Sequence, residues 1–317
     1  MTRLPVRRPL AVRPALPVTR LPCGTRWRSA PLIDRWHAAS RVCRRVEWSR
    51  GTPVVFVAAA SGLVFSRVGL SPRVVPMARL AVVSGGGTGI GRATAGMLAG
   101  EGYDVIIVGR RPDVLADAVR WIGPQTTAVP ADVSDPDQLT PVVEAVAGRP
   151  VDVLVNNAGA YIGGDESTRA ALAARWRANF DSNVLTAVLL TDALRPFLRR
   201  PGGRIVLTSS IAAQRGGGGP YSAAKAALHG FVFDLATQLG PEGITANVIA
   251  PGYVTDSEFF LGRMTEEGHR TRVAATLVKR AGEPDDIAEA VRWLAGPGGS
   301  FVTGQIINVN GGSVLGR

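Results

Sequence analysis

Tyr221-Ser-Ala-Ala-Lys225 sets a phenol and an ammonium four residues apart. On a helix that spacing puts both groups on one face. A free tyrosine has a pKa near 10, so only about one molecule in a thousand is phenolate at neutral pH. A cation held beside it lowers that value by about 1–3 units, toward the range where a proton is usefully given or taken. The pair is a candidate acid–base couple. Only two lysines occur in the chain, and one of them stands here. Taken alone, Tyr-x-x-x-Lys also describes an ordinary surface pair, so its weight depends on what accompanies it.

A second chemical feature lies far upstream. Gly85, Gly89 and Gly91 fall within Ser84-Gly-Gly-Gly-Thr-Gly-Ile-Gly91, after the apolar run Leu80-Ala-Val-Val and before a helical stretch from Arg92. Between a strand and a helix, glycines permit a tight turn, let backbone N–H groups approach a pyrophosphate and allow close packing. About 20 residues further on, an Asp or Glu would hydrogen-bond the ribose of NAD. The chain instead reads Gly109-Arg110-Arg111. A guanidinium clamps a phosphate with paired donors, so NADP(H) is the favoured cofactor and NAD(H) the alternative. No Cys or His cluster has metal-ligand spacing, and no catalytic metal is expected.

The elements that must carry these residues alternate regularly. Apolar runs occur at 80–83, 104–108, 126–129, 151–155, 204–208, 245–250 and 305–309, separated by helix-sized segments. One such helix is expected over 223–239. Val/Ile/Leu strands without alternation are buried on both faces. The expectation is an α/β fold: a Rossmann-type, doubly wound parallel sheet of about seven strands with helices on both faces. Such a sheet binds ligands beyond the carboxyl ends of its strands. Here those ends carry the Gly, Asn, Ser and Pro-Gly clusters.

With these motifs in order, residues 77–317 resemble the short-chain dehydrogenase/reductase family. The family's Thr-Gly-x-x-x-Gly-x-Gly loop matches Ser84 to Gly91, with Ser for the opening Thr; its Asn-Asn-Ala-Gly motif matches Asn156 to Gly159. Its acidic adenine contact matches Asp132-Val133, and its Pro-Gly turn with a following Thr matches Pro251-Gly252 and Thr255. The resemblance implies an NADP(H)-dependent oxidoreductase that interconverts a carbonyl and an alcohol by hydride transfer. Tyr221 would be the general acid in reduction, Lys225 would lower its pKa and hold the nicotinamide ribose, and Ser210 would polarise the substrate oxygen, with Ser209 the alternative. Asn183 would anchor a water leading to Lys225, with Asn179 the alternative. Gly85, Gly87, Thr88, Gly89, Ile90, Gly91, Arg110, Asp132, Val133, Asn157, Val254 and Thr255 would line the cofactor site together with Tyr221 and Lys225. Two departures stand out. Thr88 takes the place where many NADP-using members carry a second basic residue, and the segment between Ser210 and Tyr221, with Gly216 to Gly219, is about two residues shorter than common.

The net charge of +11 is unevenly held. Residues 1–76 contain fourteen arginines against Asp34 and Glu47, together with Cys23 and Cys43, whereas the remaining 241 residues are close to neutral. Prolines at 5, 9, 14, 17, 22 and 31 oppose regular structure, and no sustained period runs through residues 1–50. This extension is expected to be disordered or a mis-assigned start, with Met77 beginning the folded domain. An organellar transit peptide, a twin-arginine signal at Arg44-Arg45 and a nucleic-acid-binding arm are the other readings. The apolar run 53–65 is shorter than the roughly 20 residues a membrane helix needs. The expected whole is a cytoplasmic homo-oligomer taking a small carbonyl or alcohol substrate, with neither nucleic acid nor membrane as partner. The rivals are a nucleic-acid binder acting through the basic arm and a nucleotide-binding regulator without turnover. The segment 256–276, with Phe259, Phe260, Leu261 and Met264, is the expected cover over the substrate.

Overall fold

Val and Ile fill both faces of the central strands, and the fold follows from covering both. The computed structural model describes residues 78–256, 262 and 264–316, and the strands Cys43–Ser49, Thr52–Ala59 and Gly62–Leu63 before them. The chain divides into two units at Val75/Pro76.

In the second unit seven strands run β1 (Arg79–Ser84), β2 (Tyr103–Gly109), β3 (Thr126–Pro130), β4 (Val151–Asn156), β5 (Arg204–Thr208), β6 (Thr245–Pro251) and β7 (Ile306–Val309). Between them lie α1 (Gly89–Gly100), α2 (Pro112–Ile122), α3 (Thr140–Val146), α4 (Arg169–Phe180), α5 (Thr186–Leu194), α6 (Ala212–Arg215), α7 (Pro220–Leu239), α8 (Glu266–Ala274) and α9 (Pro284–Ala295). The sheet order is β3-β2-β1-β4-β5-β6-β7, and every neighbouring pair is parallel.

Period-two alternation in β1 sends Leu80 and Val82 to one core and Ala81 and Val83 to the other. The first core takes Val142 of α3, Leu190 and Leu194 of α5, and Leu228 and Leu235 of α7. Leu98 of α1, Leu115 of α2 and Leu294 of α9 fill the second. The doubly wound parallel sheet expected from the sequence is the fold found. Strand order reverses between β1 and β4, which is where such sheets open a ligand crevice.

Two boundaries differ from expectation. Helix α7 starts at Pro220 rather than 223, because a proline at the first helical position gives up no needed N–H. Tyr221 therefore sits in its first turn. In the extension, where no strand was expected, Cys43–Ser49 pairs antiparallel with Thr52–Ala59, and the latter with Gly62–Leu63. The β-branched and aromatic run Val54-Val-Phe-Val57 favours extended pairing, and the two-residue link Arg50-Gly51 has a hairpin's length. Residues 1–42 and 64–77, with the readings placed on them, lie outside the described residues. Phe259, Phe260 and Leu261 do as well. Among the described residues no helix is long and apolar enough to cross a membrane.

Candidate active site

The two strands at the order reversal are joined by one hydroxyl. Ser84 Oγ, at the end of β1, accepts the backbone N–H groups of Asn157 and Ala158 at 3.1 Å each, just past the end of β4. The chain then turns at Gly85, whose φ of +65° is a left-handed conformation that glycine adopts without cost. A Cβ on Gly91 would stand 2.0 Å from Gly85 O and 2.6 Å from Asn157 Nδ2, so α1 can start this close to the turn only without a side chain. Gly86, which the sequence reading did not single out, is equally constrained: its Cβ would meet Ile107 at 2.7 Å. Thr88 occupies the N-cap of α1 and makes no capping bond with its side chain. The first N–H groups of a helix lack intrahelical acceptors, and beside a glycine turn they form a site for an anion such as a pyrophosphate.

A cleft of about 450 Å³ opens above these strand ends. Gly85, Gly87, Thr88, Gly89, Ile90, Arg110, Asp132, Val133, Asn157, Ser210, Tyr221, Lys225 and Val254 all line it. Three of the expected residues do not. Gly91 is buried under the turn, Thr255 gives its N–H to Gly282 O at 2.9 Å, and Asn183 stands behind Gly159. Arg110 faces Asp132 at 3.9 Å. Burial pushes the Asp132 carboxyl up, but hydrogen bonds from the Ser134 hydroxyl and N–H, helped by Arg110, hold it below the usual range.

Tyr221 and Lys225 come together with Ser210. The Tyr221 hydroxyl is hydrogen-bonded to the Ser210 side chain, and Lys225 Nζ lies 6.0 Å from the Tyr221 ring centroid while donating to Thr208 O at 2.8 Å. Ser209 instead turns inward and is 3% exposed. Both serines border the cleft just past β5, but Ser209 Oγ is taken up by Lys225 O and His229 Nε2 of α7, which leaves Ser210 beside Tyr221. Asn183 lies in a π-turn, Asp181–Leu185, between α4 and α5. Such turns frequently mark functional sites. Its Nδ2 donates to Ala160 O and Asn179 O, while its buried Oδ1 has no partner. Asn179 is used otherwise, donating to Ile162 O and Arg175 O and accepting the Ile162 N–H.

Gly159 explains why Asn183 and Lys225 can share one space. A Cβ there would fall 2.6 Å from Asn183 Oδ1 and 2.8 Å from Lys225 Nζ. The signal was present in the Asn156 to Gly159 motif, though no role was read for the glycine. Tyr161, which the sequence reading missed, also lines the cleft, edge-on to Tyr221 at 5.9 Å between centroids. No spacing rule marks it in the sequence.

One electrostatic expectation is reversed. Burial pushes the Tyr221 phenol up to about 12, against the downward pull of the Ser210 hydrogen bond, rather than the nearby cation lowering it. Burial also depresses the Lys225 ammonium to about 8. Desolvation penalises whichever form is charged, and inside this pocket it is the largest cause of both shifts.

Residues 85–313 match the family model described as enoyl-(acyl carrier protein) reductase. A 3-oxoacyl-[acyl-carrier-protein] reductase of Synechocystis sp. is 34% identical over 254 residues, covering 75% of this chain and 98% of the relative. The chain belongs to the short-chain dehydrogenase/reductase family. As a member it is an oxidoreductase of the carbonyl/alcohol class. Another short-chain dehydrogenase/reductase relative, an acetoacetyl-CoA reductase of Allochromatium vinosum, is 34% identical over 247 residues, covering 74% of this chain and 98% of the relative. Among solved structures, a blue fluorescent protein from a metagenomic library in complex with NADPH superposes with a TM-score of 0.67 at 34% identity, covering 75% of this chain and 98% of that one. The glycine turn fits the nicotinamide cofactor of this family: Gly85, Gly87 and Gly89 line the cleft, and Gly86 and Gly91 let the turn and α1 pack this closely against Ile107 and Gly85.

Proposed function

We propose that the protein interconverts a carbonyl and an alcohol with NADP(H), using Ser210, Tyr221, Lys225 and Asn183. The observation that carries this reading is the Tyr221 hydroxyl hydrogen-bonded to Ser210 within the cleft, beside the buried Lys225. The Gly85 to Gly91 turn, with Thr88 and Ile90, would hold the pyrophosphate, and Arg110 the 2′-phosphate. Asp132 and Val133 would meet the adenine, while Asn157, Lys225 and Val254 would border the nicotinamide ribose and ring, with Thr255 supporting Val254 from outside the cleft. When bound, the nicotinamide supplies or accepts the hydride.

The protein's own groups handle the oxygen and the proton. Ser210 and Tyr221 hold the carbonyl oxygen between two hydroxyls, and Tyr221 Oη gives it a proton in reduction or takes one in oxidation. A phenol shifted up by burial keeps its proton until the oxygen it faces becomes more basic. Lys225, fixed by Thr208 O, offers the positive charge that steadies the phenolate left behind. Asn183 Oδ1 and Lys225 Nζ, converging beside Gly159, would together hold a water through which Tyr221 is reprotonated.

The relatives named for 3-oxoacyl and acetoacetyl thioesters support such thioesters as the first substrates to assay. Purified protein should oxidise NADPH in their presence. Tyr221→Phe should abolish turnover while leaving NADPH binding nearly unchanged, because the ring stays and the exchangeable proton goes. Activity of the variant within about tenfold of the parent would reject Tyr221 as the proton donor.

We further propose a cytoplasmic homo-oligomer formed through α4 and α7. Trp176 on α4, Leu185 in the π-turn and Phe233 on α7 are exposed apolar side chains. Light scattering that finds only monomer at micromolar concentration would reject the assembly.

A further inference from the structure

Tyr221, Lys225 and His229 follow one another along α7 at four-residue spacing, which makes them one stripe. Three consecutive residues leaving β5 engage that stripe one after another. Thr208 O accepts from Lys225 Nζ at 2.8 Å, and the Ser210 side chain is hydrogen-bonded to the Tyr221 hydroxyl. Between them, Ser209 Oγ donates to Lys225 O at 2.8 Å and meets His229 Nε2 at 3.0 Å. Ser209 also continues the sheet, its N–H donating to Ile249 O at 2.8 Å.

The middle contact differs in kind from the other two. Thr208 and Ser210 hold side chains, whose torsions could let the helix move while the bonds survive. Ser209 holds the backbone of α7 at Lys225 itself. Its chemistry is also determined. The Lys225 carbonyl can only accept, so the single Ser209 proton goes there, and the remaining lone pair needs a donor. His229 must present Nε2–H. Half-burial pushes the imidazole below its usual range, which keeps it in the neutral form with one N–H.

We propose that the Ser209–His229 pair is a positioning element for the reaction, locking the turn of α7 that carries Lys225 onto the end of β5. Neither residue acts on the substrate; both act through Lys225. The need is physical. Lys225 is 4% exposed, and among the described residues its ammonium donates to a carbonyl rather than a carboxylate. Its titratable neighbour is Tyr221, with Nζ 6.0 Å from the ring centroid. An ammionium buried on one carbonyl is held only while that carbonyl stays in reach, and a displacement of about 1 Å in a catalytic group can cost about a hundredfold in rate.

The kinetic half of the test rests on the proposed function; the spectroscopic half does not. Ser209→Ala and His229→Leu break the contact from its two sides, and His229→Gln restores an N–H donor near the Nε2 position. The chain has only Lys225 and Lys279, of which Lys279 is exposed, so lysine-labelled full-length protein gives two resonances whose titration NMR can follow separately. In the parent the buried lysine should titrate near 8. Ser209→Ala and His229→Leu should each move that midpoint up toward an exposed lysine's value, and His229→Gln should bring it back. With a 3-oxoacyl thioester and NADPH, the first two variants should lose about tenfold in kcat, with substrate KM within about twofold and the pH profile displaced; His229→Gln should recover most of the loss. A Lys225 midpoint unmoved in both Ser209→Ala and His229→Leu overturns the proposal. A parent without turnover would count against the proposed function, while the midpoints would still decide the role of the pair.

Discussion

Arg110 Nη1 stands 3.9 Å from Asp132 Oδ2, with the arginine side chain 71% exposed. So long and wet an ion pair is worth less than about 1 kcal/mol, and it leaves the guanidinium free to turn toward a stronger anion. A ribose 2′-phosphate, which accepts paired N–H donors, is such an anion. Arg110→Ala should therefore raise KM for NADPH by at least about tenfold and leave KM for NADH nearly unchanged. Steady-state kinetics with both cofactors checks this. A parent that already prefers NADH would reject the assignment.

The turn before α1 makes a sharper steric prediction. On Gly91 a Cβ would overlap Gly85 O and crowd Asn157 Nδ2, both of which belong to the join between β1 and β4. Gly91→Ala should destabilise the protein by about 1–3 kcal/mol and weaken cofactor binding. Gly100, the last residue of α1, has open space around it. Gly100→Ala should stabilise by about 0.4–1 kcal/mol through the unfolded chain. Denaturant titration compares the two. Equal effects would show that the cradle yields more easily than its geometry implies.

Burial of Lys225 and Tyr221 gives a pH dependence with a definite sign. The Lys225 value falls from 10.5 unfolded to about 8 folded, so between those values the unfolded chain binds more protons. Stability should rise with pH across that window, recovering about 3 kcal/mol that the buried ammonium costs at neutral pH. Tyr221 runs the other way, from 10.0 unfolded to about 12 folded. Its contribution is fully present below pH 10 and is lost as pH rises through 12. Unfolding free energy should therefore climb from pH 8 toward 10 and decline beyond. Lys225→Met should flatten the climb; a parent curve flat from pH 8 to 10 would mean the ammonium is better solvated than its burial implies.

What the sequence made legible was whatever depends on local spacing. Tyr221 and Lys225 are four apart on a helix, Arg110 follows the second strand, and the glycines bracket a strand-to-helix turn. The π-turn that aims Asn183 was hidden, because Asp181-Ser-Asn-Val-Leu185 contains neither proline nor glycine and the extra residue is held by tertiary contacts. Ser209 and Ser210 look interchangeable in a string, yet one meets His229 and the other Tyr221, about two turns apart on α7, a pairing set by how β5 and α7 pack. The direction of the Tyr221 shift was missed because spacing reports a neighbouring charge but not the desolvation around it. In the extension, proline spacing masked the β-branched run at 54–57 that pairs with Cys43–Ser49.

The extension should be dispensable for catalysis. All seven strands of the parallel sheet, the glycine turn and every residue of the proposed site follow Met77. The relatives are matched over 98% of their length by about three quarters of this chain, and the family model matches only residues 85–313. Among the described residues, the hydrophobic cores on the two sides of the sheet are built from residues after that point. The strands that do form in the extension pair with one another. A protein of residues 77–317 should keep the thermal midpoint of the full chain within a few degrees and its kcat/KM within about twofold, since every strand of the parallel sheet and every proposed cofactor-binding residue is kept. The truncated protein would also lose the excess of twelve positive charges that sets the pI of 10.9. Any affinity of the full chain for nucleic acid should therefore vanish with it and fall steeply with salt before that. Failure of residues 77–317 to fold, or a loss of turnover at unchanged stability, would show that the extension takes part in the enzyme.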